Sequence, residues 1–247
     1  MHSEVTARTK RAKTLVEICI DDLAGALVAE QAGADRVELC GNLLEGGTTP
    51  SIGLLDRVLD SVHGIGVQVM VRPRGGNFVN SDSELSVMLA DIRAIRRRAE
   101  GAAVPVGLVF GVLTDDNRID QAAIRSLIAE ASELPVTFHK AFDDIADQGA
   151  AIDQLAELGV ERVLTSGGRA TAVAGAAALL TLRQRGAPVR ILAGGGVRPH
   201  NAAALVAASG AEEIHLRAQV AGPIGTAGLV TDFDTVRSVV EELARPI

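Results

Sequence analysis

Two short phrases in this 247-residue chain place a carboxylate two residues ahead of a cysteine: Glu17-Ile18-Cys19 and Glu38-Leu39-Cys40. They hold its only two cysteines. Side chains at i and i+2 of a strand share a face, so each phrase presents an acid beside a thiol. A carboxylate within an apolar strand is costly unless it is paired or used. Glu17 and Glu38 are therefore expected either to be neutralised by a cation, with Arg72 the candidate, or to do acid–base work. Further polar residues follow short apolar runs in the same way. They are Asn42 and Glu45 in a glycine-rich loop, Arg72 and Arg74 in Arg72-Pro73-Arg74-Gly75-Gly76-Asn77, His139 and Asp143 in His139-Lys140-Ala141-Phe142-Asp143, and His215. The candidate catalytic set is Glu17, Glu38, Arg72, His139 and Asp143, with His139 read as a base or ligand.

Glycine marks a second kind of site. Gly194-Gly195-Gly196 precedes a helix opened by Pro199. Glycines let backbone N–H groups face a ligand, and a helix N-terminus favours an anion. Thr165-Ser166-Gly167 is the matching loop one unit earlier. With Asn42, Glu45, Arg74 and His215, these loops form the expected ligand-binding set for a small anionic or phosphorylated molecule.

The thiols allow two readings. Buried free cysteine usually acts as a small hydrophobe. Yet Cys19 and Cys40 end consecutive strands. Adjacent strands lie about 4.8 Å apart, so the sulfurs are expected within roughly 4–6 Å, depending on stagger. Two soft thiolates suit Cu(I). A closed zinc site takes four ligands, more than the pattern offers.

The elements that must position these groups are legible from period. Strands are expected at 15–20, 36–40, 67–72, 106–110, 136–139, 162–165, 189–193 and 213–216. Helices are expected at 23–32, 52–62, 83–98, 121–131, 150–158, 172–184, 201–208 and 233–243. Gly33 and Gly159 stand just past helix ends, where a left-handed residue is wanted. Pro50 and Pro199 stand near helix starts. Eight βα units in strict alternation predict an α/β fold, the (β/α)8 TIM barrel, as one domain over 14–247. The doubly wound alternative normally carries Gly-x-Gly-x-x-Gly after its first strand, and here Asp21-Asp22-Leu23 follows. In a barrel, residues at strand C-termini converge on one mouth, and the candidate residues above occupy those positions.

Composition narrows the classes. The chain is 47% apolar, with five Phe and no Trp or Tyr, and carries a net charge of −7. That balance disfavours nucleic acid, which calls for basic surface and stacking aromatics. No apolar run approaches the roughly 20 residues that span a bilayer. Residues 1–13 are polar and basic, lack a signal-peptide h-region, and read as a disordered tail. Two cysteines make no disulfide framework. A cytoplasmic protein with reduced thiols is expected.

Taken together, the motifs resemble the CutC copper homeostasis family. The resemblance rests on Glu17-Ile18-Cys19, Gly33 through Cys40, Glu45 through Ser51, Arg72 through Phe78, Gly111 through Thr114, Val136 through Asp143, Arg162 through Gly167 and Ala193 through Val197, in the family's order. It implies a cytosolic (β/α)8 barrel, commonly a homodimer, linked to copper tolerance and binding Cu(I) through Cys19 and Cys40. Lys140 replaces the arginine usual in the family, and Asn77 and Asn80 stand where it often has Asp and Tyr. The alternative expectation is an enzyme of lyase, isomerase or hydrolase type, using Glu17, Glu38, Arg72 and His139 on a small anionic metabolite.

Overall fold

In the first strand, β1 (Leu15–Ile20), every second residue is aliphatic: Val16, Ile18 and Ile20 are buried in the main hydrophobic core. Glu17 and Cys19 point the other way and belong to a different environment. The same alternation recurs in β2 (Arg36–Leu39), β3 (Gly66–Met70), β4 (Val106–Phe110), β5 (Val136–Phe138), β6 (Arg162–Thr165), β7 (Arg190–Gly194) and β8 (Glu213–Leu216). These eight pair in sequence order, all in parallel, and β8 returns to β1 to close a barrel. The computed structural model describes residues 13–185, 188–222 and 228–245.

Among the described residues, eight α-helices surround the barrel: α1 (Leu23–Gln31), α2 (Ile52–Ser61), α3 (Asp82–Ala99), α4 (Gln121–Ala131), α5 (Gln148–Leu158), α6 (Ala176–Gln184), α7 (Pro199–Ser209) and α8 (Phe233–Ala244). Six of their starts are fixed by side-chain caps: Asp22, Ser51, Ser81, Asp120, Asp147 and Asp232 each accept an N–H from the first turn. Such a cap contributes about 1 kcal/mol. Gly159 and Gly210 end α5 and α7 in the left-handed conformation, where a Cβ would be strained. The aliphatic core fills the layer between sheet and helices. It leaves the barrel interior to a different set of side chains, several of them charged.

The (β/α)8 expectation holds. Strict alternation is interrupted by short 3-10 turns at Leu43–Glu45 and Lys140–Asp144, and by an antiparallel hairpin, β9 (Gln219–Ala221) with β10 (Leu229–Thr231), between β8 and α8. The hairpin is short and partly exposed, so it shows no periodic apolar signal. Three strand ends also move. Cys40, Arg72 and His139 each lie beyond the last paired residue of their strand rather than within it. Helix α6 begins at Ala176, not at 172, because Ala172 N–H bonds Gly195 O and ties that segment to the neighbouring loop. The predicted tail at 1–13 lies, apart from Lys13, outside the described residues. No described helix is long and apolar enough to cross a membrane.

Candidate functional site

The register sets two polar levels inside the barrel. Glu17 pairs across with Arg36 on one side and His215 on the other, while Cys19 is level with Glu38. In the lower level, Arg36 bridges two carboxylates, with Nε to Glu17 and Nη2 to Glu213 at 2.7 Å. Arg162 adds Nε to Glu213 at 2.5 Å and Nη1 to Thr137 at 3.3 Å. All four charged residues of this network are buried. Burial by itself would raise the Glu17 carboxyl. Arg36 and a bond from His215 Nδ1 (2.8 Å) outweigh it, holding Glu17 at about 2. The cation opposite Glu17 is therefore Arg36, not Arg72 as the sequence suggested. Arg36 opens a strand and looks like part of a helix–strand joint, which hid its inward direction.

The upper level holds the thiols. Cys19 and Cys40 Sγ are 4.0 Å apart, and Glu38 Oε1 lies 3.3 Å from the first and 3.5 Å from the second. All three residues are at least 96% buried. Cys19's thiol is held well below its usual range, first by the hydrogen bond from Cys40, then by His215 beside it. Cys40 is pushed up by donating that bond and by burial. Burial and the charge at Cys19 push Glu38 up too. Burial disfavours charge on His215, but Glu38, Cys19 and Glu17 outweigh it, so the imidazole is held well above its usual range. The cluster is thus a cation, His215, beside a shared negative charge on soft and hard donors. Gly194 makes room for it. A Cβ there would meet Leu164 Cδ1 at 2.5 Å and His215 Cβ at 3.2 Å.

Above this level the mouth opens into a cavity of about 390 Å³, bordered by Cys19, Glu38, Met70, Arg72, Phe78, His139, Leu164 and His215. This lies in the range of small-molecule sites. Arg72 donates Nη1 to Glu45 O (3.3 Å) and Gly47 O (3.2 Å), and Nη2 to Gly76 O (2.6 Å), fastening two loops. Its guanidinium lies over the Phe78 ring at 4.8 Å, and the same ring meets His139 at 4.8 Å. His139 Nδ1 accepts the Ala141 N–H at 3.3 Å, capping the turn Lys140–Asp144. Burial, with Arg72's charge nearby, pulls this imidazole down to about 3, so it is neutral near pH 7.

The other candidates fall outside the cavity wall. Asp143 accepts from Thr165 Oγ1 (2.5 Å), Ser166 N–H (3.0 Å), Ser166 Oγ (2.9 Å), Gly168 N–H (3.0 Å) and Lys140 Nζ (2.8 Å). The donors expected to greet an external anion at Thr165 and Ser166 thus enclose a carboxylate of the chain itself, while the Gly167 N–H is taken up by Thr165 Oγ1 at 2.8 Å. Gly195 and Gly196 are left-handed and lie against Ser166 and Thr171, joining the two loops. Arg74 holds its own loop through Val79 O (2.7 Å) and Glu84 (2.5 Å). Asn42 and Glu45 are exposed on the mouth loop, and Glu45 lies against Gly75. Sequence reasoning passed over Arg36, Arg162, Glu213, Phe78 and Met70. For Arg36 and Glu213 the signal was present, since each precedes a chosen residue of its strand by two and so shares its face.

Comparison with known proteins decides the family. The CutC family model matches residues 14–220. The chain belongs to the CutC family. The human copper homeostasis protein cutC homolog is 47% identical over 206 residues, covering 83% of this chain and 73% of that one. The family protein CutC of Histophilus somni is 45% identical over 205 residues, covering 83% and 82%. The crystal structure of CutC from Streptococcus agalactiae matches with a TM-score of 0.75 at 38% identity, covering 82% of this chain and 97% of that one. Phosphoribosyl anthranilate isomerase from Thermus thermophilus matches with a TM-score of 0.57 at 18% identity, covering 93% and 98%. That likeness is one of fold alone.

Proposed function

We propose that this CutC protein holds Cu(I) between Cys19 and Cys40, with Glu38 as the adjacent oxygen donor. The observation behind the reading is the buried triad: two sulfurs 4.0 Å apart sharing one carboxylate oxygen. Metal–sulfur bonds of about 2.3 Å let one ion touch two sulfurs up to about 4.6 Å apart, so the separation fits. Thiolate softness selects copper in its cuprous state over magnesium or calcium. Two thiol protons must leave on binding, and the lowered Cys19 supplies the first anion. The ion is cargo in this reading, handled by a cytoplasmic protein that acts as a homodimer. The relatives named for copper homeostasis support it. Anaerobic titration against a Cu(I) chelator tests it. Cys19→Ser/Cys40→Ser is expected to lose more than about a hundredfold in affinity, since even outer-shell changes cost 10–100-fold. Parent-like Cu(I) affinity in the double variant would sink the proposal.

The cavity above the triad favours a second reading. A small anionic metabolite would enter the mouth, with Arg72 and His139 to hold it and Glu38 to exchange a proton, as in an enzyme of lyase, isomerase or hydrolase type. Glu17, one level deeper and committed to Arg36 and His215, would act there only through His215.

A further inference from the structure

Among the described residues, four buried side-chain atoms make no hydrogen bond within the protein, and three belong to residues of the cavity wall: Glu38 Oε2, Arg72 Nε and His139 Nε2. The three residues are 3%, 8% and 4% exposed. A buried polar atom without a partner costs about 1–3 kcal/mol, so three in one wall ask for a common explanation. Their chemistry is defined. The Ala141 N–H is a donor only, so His139 Nδ1 is the bare nitrogen and Nε2 carries the hydrogen. Arg72 has spent three of its five N–H hydrogens on carbonyls, through Nη1 and Nη2, and its Nε–H has no partner. The residues lining the cavity therefore hold two buried N–H donor atoms without a partner, on side chains that both contact Phe78, and one such carboxyl oxygen.

We propose that the cavity is a binding site for a small hydroxy carboxylate, whose carboxylate oxygens take the His139 Nε2–H and Arg72 Nε–H, and whose hydroxyl meets Glu38 Oε2. This rests on the second reading above, a small anion in the mouth, and gives it a chemical class. Two unpartnered donor atoms match the two oxygens of a carboxylate. A phosphate, with three acceptor oxygens, calls for the kind of nest that Asp143 already fills beside Thr165, Ser166 and Gly168. Lys140, the nearest ammonium, is also bound to Asp143. Gly111 fixes the donor's place: a Cβ there would come within 2.6 Å of His139 Nδ1.

Glycerate, propionate and inorganic phosphate are the probes, titrated into the metal-free protein while the side-chain ¹⁵N–¹H signal of His139 is followed. Glycerate is expected to saturate at millimolar concentration and shift the Nε2 signal. Propionate, lacking the hydroxyl, is expected to bind at least about tenfold more weakly. His139→Gln, which keeps an amide donor, is expected to bind glycerate within a few-fold of the parent. His139→Met is expected to lose about ten- to a hundredfold. All titrations use the metal-free protein, so their outcome is read independently of the copper reading. Phosphate binding in the mouth without glycerate, or glycerate binding with an unmoved His139 signal, would overturn the hydroxy-carboxylate assignment and leave the small-anion reading standing. Binding of none of the three probes would overturn both. The glycerate and propionate comparison is made on the parent protein, so it stands even where a variant fails to fold.

Discussion

Replacing Arg36 with methionine probes the charge network beneath the site. Met has similar length and apolar bulk, so the cavity left is small, and the main loss is the cation between Glu17 and Glu213. Glu213 keeps Arg162 at 2.5 Å, but Glu17 keeps only His215. Removing one partner of a buried ion pair costs about 3–5 kcal/mol. An independent figure comes from Glu17, whose carboxyl falls from 4.5 to about 2 in the folded protein, worth roughly 3 kcal/mol. A depressed carboxylate stabilises above its unfolded value and loses that contribution as pH falls through its folded value. The parent thus holds the full contribution above pH 4.5 and loses it toward pH 2. In Arg36→Met burial is no longer outweighed by Arg36, and the Glu17 carboxyl rises. Equilibrium urea unfolding should show a gap of about 3–5 kcal/mol between parent and variant at pH 7, narrowing steadily as pH drops below 4.5. Glu17→Gln/Arg36→Met, with no uncompensated charge at Glu17, should recover much of the loss. A gap under about 1 kcal/mol at pH 7, or one unchanged between pH 7 and pH 3, would refute the assignment of Arg36 as the charge that holds Glu17 ionised.

Two further predictions concern the loops that frame the mouth. Asp143→Asn removes the charge at the centre of five donors, including Lys140 and the Ser166 and Gly168 amides. It is expected to cost about 1–3 kcal/mol and to speed amide hydrogen exchange at Ser166 and Gly168, and unchanged exchange there would contradict its role as the loop's anchor. Gly47 has φ +93°, and a Cβ on it would sit 3.0 Å from Cys40 Sγ. Gly47→Ala should therefore destabilise by about 1–2 kcal/mol through left-handed strain and weaken Cu(I) retention in chelator competition, whereas a stable variant with parent-like retention would detach Cys40 from the metal.

The barrel itself was legible because its signals are local. Period-two aliphatic runs, glycine at Gly33 and Gly159, and acidic or serine caps at helix starts are properties of neighbouring residues. The acid–thiol phrases were legible for the same reason: the strand period puts Glu17 with Cys19 and Glu38 with Cys40 on shared faces whatever the register. Which residues they meet across the barrel is a matter of register and closure, and these depend on strands far apart in the chain. The pairing of β1 with β8 brings His215 to Glu17 across 198 positions, and the pairing of β1 with β2 turns Glu38 toward both sulfurs. No local pattern states that Arg36 rather than Arg72 faces Glu17, or that Asp143 fills the loop that glycines and hydroxyls seemed to hold open. The sequence by itself determined the architecture and the residue types gathered at one mouth. Only the tertiary structure decided which charges neutralise each other and which buried polar atoms are left without a partner.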